Sequence, residues 1–318
     1  MTITSYGYIQ LLPPLLDAVV EADIDRIHNW RNIGLVSVDP NLWGLSRFQG
    51  AEGVIGKAVA KAVKGSELVF KSRFLLEGID FKPWEVMAYH EIIYGYKPWE
   101  YSETHPRPVK TLELPTRVAN LYKKSIVLYT DHEIRKSSTK INFSYDMWLM
   151  RSATDMKCSK GDIELMIWLY RSPDLKPLPK DADTVVEIPI LLNGKITTTK
   201  LEAYITEITL PSGIGGWTYI AFTLENPVEK GSIALDFTSL LEITREVLAK
   251  HMPSEWNGEK FDDLYLRSVE VGTEVFFSNR VDVEWSLREM HIAVLPTRIA
   301  SEKALESLAD PLTLFKGS

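Results

Sequence analysis

The sequence predicts an all-β sandwich or barrel. Short apolar-rich runs recur along the chain from Val36 onward, and Gly, Pro, Asn and Asp punctuate them. Stretches of helical period between these runs are few, so a parallel βαβ arrangement does not fit. The length bounds the rest. A chain of 318 residues, 45% hydrophobic and 25% charged, is enough for one large all-β domain or two smaller ones. No internal repeat or low-complexity linker divides it, so a single domain over 1–318 is expected.

In chain order, residues 1–34 read as an N-terminal extension, with Asp23 capping a short helix that runs to about Ile33. Residues 36–292 read as the β core. The stretch Ala51–Lys64 reads as a short helix despite Gly53 and Gly56. Strand-like runs follow at Leu68–Leu75, Val86–Tyr94, Ser125–Tyr129, Ile141–Leu149, Ile163–Tyr170 and Val185–Leu191. Further runs are Lys195–Thr199, Glu202–Leu210, Trp217–Leu224, Val269–Phe277 and Val281–Leu287, and Pro173–Pro179 is a loop within the domain. One helix stands out. Asp236 caps it, Phe237, Leu240, Leu241, Val247 and Leu248 line one face through Lys250, and Pro253 stops it. Residues 298–318 form a C-terminal tail, helical over Arg298–Phe315 and broken by Pro311.

Composition excludes several classes. A net charge of -7 argues against nucleic acid as a partner, because phosphate binding needs a basic surface. Cys158 is the sole cysteine, so no intramolecular disulfide forms, and a buried, inert thiol is expected there. No apolar run approaches the roughly 20 residues of a membrane span. Tyr8–Val20 is apolar, but Pro13, Pro14 and Asp17 interrupt it and no basic residue precedes it, so it does not read as a signal peptide. The histidines at 28, 90, 105, 132, 251 and 291 show no metal-ligand spacing, so neither a metal nor a cofactor is expected. Gly213-Ile214-Gly215-Gly216 follows Pro211-Ser212 and reads as a turn rather than a phosphate cradle. No serine lies in a nucleophile-elbow pattern.

The chemistry is carried by carboxylates on apolar strands. In Asp162-Ile163-Glu164-Leu165-Met166-Ile167-Trp168-Leu169, alternation puts Glu164 on one face with Met166 and Trp168, while Ile163, Leu165, Ile167 and Leu169 form a core stripe. In Val271–Phe277, Glu274 shares a face with Phe276, and Val275 and Phe277 point away. A carboxylate in such surroundings costs free energy unless it is paired or used. Two of them across a cleft are the minimal equipment for hydrolysing a glycosidic bond. Ser144, Asp146 and Trp148 also share a face, and Asp146 can orient Glu164 if the two strands are neighbours; a solvated polar face is the alternative. Trp43, Trp84, Trp99, Trp217 and Trp256 lie in polar or turn-rich stretches. Each offers a flat face on which a sugar ring can stack, with core packing the equal alternative for any one of them.

Six fragments together resemble one family. Glu164-Leu165-Met166-Ile167-Trp168 and Gly272-Thr273-Glu274-Val275-Phe276 are similar to the two catalytic-strand motifs of glycoside hydrolase family 12, and Ser144-Tyr145-Asp146 resembles the strand that supports the nucleophile. Asn41-Leu42-Trp43-Gly44 resembles the family's early substrate-binding motif. Glu91-Ile92-Ile93-Tyr94-Gly95-Tyr96-Lys97-Pro98-Trp99 looks like a segment of its archaeal endoglucanases, and Gly216–Phe222 also fits. The fragments run in the family's order over residues 41–276. The resemblance implies a β-jelly roll of two stacked antiparallel sheets, a concave substrate cleft and one main helix on the convex side. It implies a retaining endo-β-1,4-glucanase with Glu164 as nucleophile, Glu274 as general acid/base and Asp146 orienting Glu164. Asn41, Trp43, Met166 and Trp148 would contact the substrate.

The chain departs from the pattern in its extra length at 1–34, around 50–80 and at the C-terminus, and in Val275, where many members have Pro. A preference for xyloglucan or mixed-linkage glucan, or a non-catalytic carbohydrate-binding role, are the alternatives. A β-glucan polysaccharide is the expected partner and a monomer the expected state. The many aromatics and the lack of cysteine pairs suit a hot habitat. A polymer substrate points to action outside the cell, with a cytoplasmic location as the alternative.

Overall fold

The computed structural model describes residues 7–99, 105–209 and 216–315, with side chains as far as 308. The chain opens with β1 (Gly7–Leu12), β2 (Ala18–Asp23), β3 (Arg31–Ile33), β4 (Val36–Asp39), β5 (Val54–Ala62), β6 (Leu68–Leu76), β7 (Val86–Gly95) and β8 (Thr116–Arg117). A one-turn helix α1 (Val118–Leu121) leads into β9 (Ser125–Ser137), β10 (Asn142–Met150), β11 (Ile163–Arg171), β12 (Thr184–Leu192), β13 (Lys195–Thr209), β14 (Gly216–Leu224) and β15 (Lys230–Asp236). Then come α2 (Phe237–His251), α3 (Gly258–Asp262), β16 (Tyr265–Phe276), β17 (Arg280–Leu295) and α4 (Ser301–Phe315). Among the described residues, no helix is long and apolar enough to cross a membrane.

Hydrogen bonding gives the order β3-β4-β7-β16-β10-β11-β14-β13-β12-β15-β9-β17-β6-β5-β2. All of these pairings are antiparallel except β11 with β14. The order folds back on itself at β13, a 15-residue strand that unites two runs read separately in the sequence. Its first half pairs with β12 and its second half with β14. The fold therefore has two layers, as a jelly roll requires. Leu165 and Ile167 of β11, Met147 of β10 and Val271 of β16 share one core with Leu128 of β9, Ile233 of β15 and Trp285 of β17. Trp285 is fully buried, and its ring stacks on Phe70 of β6 with centroids 4.4 Å apart. Burying each such side chain stabilises the fold by roughly 1.5–3 kcal/mol.

Helix α2 starts where the sequence places it. The Asp236 side chain accepts from the Ser239 backbone N–H at 3.3 Å and from its hydroxyl at 2.8 Å, and the apolar face of the helix joins the principal core. A second helix of equal length, α4, lays Ala304, Leu305 and Leu308 against Val127, Leu191 and Ala234 on the outer sheet's far face. Arg298 ties the segment before α4 to Asp236, at 2.9 Å. Helix α4 runs through Pro311 rather than breaking there.

Two helix expectations are corrected. No helix spans Asp23–Ile33: β2 ends at Asp23 and β3 occupies Arg31–Ile33. The Asp23 carboxylate closes a turn, accepting from the backbone N–H groups of Asp25 at 3.0 Å and Arg26 at 2.9 Å. An Asx turn and an N-cap use the same local bonds, and here no periodic apolar face follows. Ala51–Lys64 holds a strand, β5, in which Val54, Ala58, Ala60 and Ala62 are buried while Ile55, Lys57 and Lys61 are exposed. Its period of two overrides alanine's helix propensity once β2 and β6 are on either side. Gly56 is required there: its φ is +144°, and a Cβ would lie 2.0 Å from the Arg73 carbonyl oxygen. Residues 7–33 are also more than an appendage, because β1 pairs with β17 and β2 with β5. Gly213, Ile214 and Gly215 lie outside the described residues.

Candidate active site

Alternation decides which side chains leave the core. On β11, Ile163, Leu165, Ile167 and Leu169 face inward into the sandwich, and Glu164, Met166 and Trp168 face the opposite way. Strand β10 sends Ser144, Asp146 and Trp148 to that side, and β16 sends Glu270 and Glu274. Of these, Glu164, Met166, Asp146, Trp148 and Glu274 floor a cleft of about 800 Å³. Glu164, Glu274, Asp146, Asn41, Trp43, Met166 and Trp148 all line it. The structure thus brings these seven residues to one cleft, together with Trp99 and Trp217 but not Trp84 or Trp256.

Register explains how this happens. Strand β10 lies between β11 and β16. Asp146 sits across from Met166 on one side and Glu270 on the other, while Trp148 sits across from Glu164. Glu274 is held at the other end of β10. Asn142 donates its side-chain amide to the Glu274 carboxylate and accepts the Glu274 backbone N–H at 3.0 Å. Glu164 is held from its other neighbour, β14. Trp217 donates its indole N–H to the Glu164 carboxylate at 2.6 Å. Each carboxylate therefore has one neutral donor and its own orientation.

Electrostatics separate the two. Burial is the largest effect on Glu164 and raises it to about 7, against the Trp217 hydrogen bond and the Lys97 charge, which pull it down. Burial, and after it the Glu164 charge, raise Glu274 to about 8 against the opposing Asn142 bond and Lys97 charge. The Glu164 charge thus favours the protonated form of Glu274. Asp146 is 4% exposed and pushed well above the ordinary carboxylate range, first by burial and then by the Glu164 charge. A neutral Asp146 keeps a proton that it can donate to an ionised neighbour. One ionised and one protonated carboxyl on the same cleft can perform nucleophilic and acid catalysis together.

The walls are aromatic. Trp43 is 48% exposed on the turn after β4, and Trp99 is 41% exposed. Trp99 packs edge-on against Trp148 and Trp217, at 5.1 and 5.5 Å between centroids. Trp84 is exposed and does not line the cleft, and Trp256 is a core residue. Asn41 adopts a φ of +27°, a conformation that Asn tolerates, and donates to Glu91 at 2.5 Å. Its Oδ1 accepts the Trp43 backbone N–H at 3.3 Å. Met166 lies in the floor, with the Trp168 indole N–H directed at its sulfur, 3.5 Å away. Cys158 is buried, and burial pushes its thiol far up, so it is inert.

Sequence reasoning did not single out Asn142, Tyr89, Lys97, His28 or Trp30, all near or on the cleft. For Asn142 a signal was available, because it precedes Ser144 by two residues on the same strand. Tyr89 likewise stands two residues before Glu91 on β7. Lys97, His28 and Trp30 lie outside strands and carry no periodic signal.

Comparison with known proteins agrees with this geometry. A sequence search of curated proteins finds no significant match. Among solved structures, a family 12 xyloglucanase from Bacillus licheniformis superposes with a TM-score of 0.57 at 18% identity, covering 91% of this chain and 100% of that one. An endoglucanase from Rhodothermus marinus gives a TM-score of 0.55 at 18% identity, covering 86% and 98%. Endoglucanase 3 of Trichoderma harzianum gives 0.54 at 18% identity, covering 86% and 96%. At such identities the likeness is one of fold. The family model for glycosyl hydrolase family 12 matches residues 34–293, which leaves β1 to β3 outside it. The matched span takes in the cleft floor and the strands that carry Glu164 and Glu274, so the chain belongs to glycosyl hydrolase family 12 and is a glycoside hydrolase.

Proposed function

We propose that the protein is a retaining endo-β-1,4-glucanase in which Glu164 is the nucleophile and Glu274 the general acid/base. The observation that carries this reading is the placing of two carboxyls on one aromatic-walled cleft, Glu164 held by the Trp217 indole and Glu274 by the Asn142 amide, with the Glu164 charge favouring the proton on Glu274. Glu164 attacks the anomeric carbon while Glu274 gives its proton to the departing glycosidic oxygen, and a covalent glycosyl-enzyme forms. Glu274, now ionised, takes a proton from water as that water attacks the anomeric carbon and expels Glu164. Asp146, on the strand beside Glu164, steadies its orientation during the reaction. Trp43 and Trp99 stack on sugar rings along the cleft, Trp148 and Met166 shape its floor, and Asn41 bonds sugar hydroxyls.

Family neighbours include a xyloglucanase as well as endoglucanases, so soluble β-1,4-glucan, mixed-linkage glucan and xyloglucan are the substrates to compare. The enzyme acts as a monomer, and a polymeric substrate places its action outside the cell. The test is the release of reducing ends by the wild type beside Glu164→Gln. Release by the wild type alone is expected. Binding of glucan without release by either protein would make it a carbohydrate-binding protein instead.

A further inference from the structure

Among the described residues that line the cleft, Lys97 is the sole lysine or arginine, against the carboxyls of Asp146, Glu164 and Glu274. It lies just beyond β7, and its side chain is 9% exposed. Its ammonium donates to both oxygens of Glu91, at 2.8 and 2.7 Å, and lies 3.3 Å from Glu270. The Tyr89 ring is beneath it, at 5.1 Å from the centroid. Glu91 and Glu270 are both wholly buried. Two carboxyls with no access to water need a cation between them, or one must take a proton. Both happen here: burial and Glu91 keep Glu270 well above the ordinary range, opposed by Lys97. Glu270 in turn sits directly across from Asp146, and Glu91 accepts from Asn41.

We propose that Lys97 is a positioning residue of the reaction, bridging Glu91 and Glu270 behind the cleft and thereby fixing the charge balance under Asp146 and Glu164. This rests on the hydrolase reading above. Lys97 borders the same cleft as Asp146, Glu164 and Glu274, whereas Glu91 lies behind it. Its charge lowers Asp146, Glu164 and Glu274 alike. Other groups lie around this set. Tyr219 of β14 and Tyr89 of β7 are phenols kept protonated by burial. Glu91 and Glu270 raise Asp146. His28 and Asp39 meet each other at 3.6 Å on the side of β4, and the buried Arg267 guanidinium engages Met150 and the Asp155 carbonyl.

The test is the pH profile of kcat/KM on soluble β-1,4-glucan for the wild type, Lys97→Met and Lys97→Arg, with Glu164→Gln as the inactive reference. Loss of the ammonium makes every carboxyl of the set harder to ionise. Both limbs of the Lys97→Met profile therefore move to higher pH, by about half a unit or more, and Lys97→Arg returns them toward the wild type. Limb positions do not depend on the fraction of protein folded. If Lys97→Met alone yields no folded enzyme, the double variant Lys97→Met with Glu91→Gln removes the cation and its counter-charge together. Its limbs move the same way by less. A profile lowered at every pH with its limbs unmoved, in either variant, overturns the inference and makes Lys97 merely structural. A wild type that releases no reducing ends overturns the hydrolase reading and this inference with it. A wild type that hydrolyses beside an inactive Glu164→Gln leaves the hydrolase reading standing whatever Lys97 does.

Discussion

The carboxylates of the cleft and those of the outer sheet face opposite fates. On the outer sheet, Asp282 lies beside Lys136 and Arg73, and Glu133 beside Lys230, Arg135 and Arg288. Hydrogen bonds from Lys136 and Lys230 are the chief causes that hold these carboxyls below their ordinary values. In the cleft, Glu164, Glu274, Asp146 and Glu270 are raised, burial being the first cause in each case. The residue types are the same. What differs is water and the number of cations. Where a carboxylate is solvated and paired it holds little free energy; where it is dry and crowded by its own kind it stays poised to exchange a proton.

Breaking the cleft side of this contrast has the largest effect. Glu164→Gln removes the proposed nucleophile while keeping its shape and the bond from Trp217, and kcat is expected to fall by about 10⁴-fold or more with glucan binding retained. A rate within tenfold of the wild type would remove Glu164 from its role.

The donors that orient the pair come next. Trp217→Phe takes away a bond that favours the Glu164 anion, so the acid limb of kcat/KM moves up from about 7. Asn142→Ala takes away the bond that favours the Glu274 anion, so the alkaline limb moves up from about 8. Each is expected to cost about 10- to 100-fold in kcat/KM, as the loss of a 1–3 kcal/mol bond does. In the wild type the sign follows from the roles. Activity falls as pH drops through the Glu164 value, because the nucleophile is protonated, and falls as pH rises through the Glu274 value, because the acid has lost its proton.

A smaller effect concerns stability. Glu164 is raised in the folded protein above its unfolded value of about 4.5. Its ionisation therefore destabilises the fold, by an amount absent at pH 4 and fully present above about pH 8. Glu164→Gln should leave Tm unchanged at pH 4 and raise stability by about 1–2 kcal/mol at pH 8–9. Equal melting temperatures across that range would contradict the dry, crowded description of the cleft. The smallest effect belongs to the outer sheet. Lys136→Ala breaks a solvated pair with Asp282 and is expected to cost less than about 1 kcal/mol by denaturant titration, with no change in kcat/KM.

Much of this was legible in the sequence, for a local reason. Alternation on β10, β11 and β16 follows from the backbone pleat, so Glu164, Asp146 and Glu274 could be placed on the face away from the core without knowing any partner strand. The N-cap at Asp236 is equally local. Asp23 and Ala51–Lys64 misled for the same reason in reverse. An Asx turn carries the same bonds as a cap, and an alanine-rich strand resembles a helix until β2 and β6 flank it. What is non-local was hidden. That Asn142 grips Glu274, that Trp217 reaches Glu164 from a parallel neighbour, and that Lys97 joins Glu91 to Glu270 all depend on strand order and on the fold-back at β13. No periodicity in one segment records these.

The measurement that tests the central claim most directly is capture of the covalent intermediate. The enzyme is incubated with a 2-deoxy-2-fluoro cello-oligosaccharide bearing a good leaving group, then digested and analysed by peptide mass spectrometry. The account predicts a single glycosyl adduct on the Glu164 carboxylate, absent from Glu164→Gln. An adduct on Glu274 or Asp146, or hydrolysis of the reagent with inversion and no adduct, would contradict it.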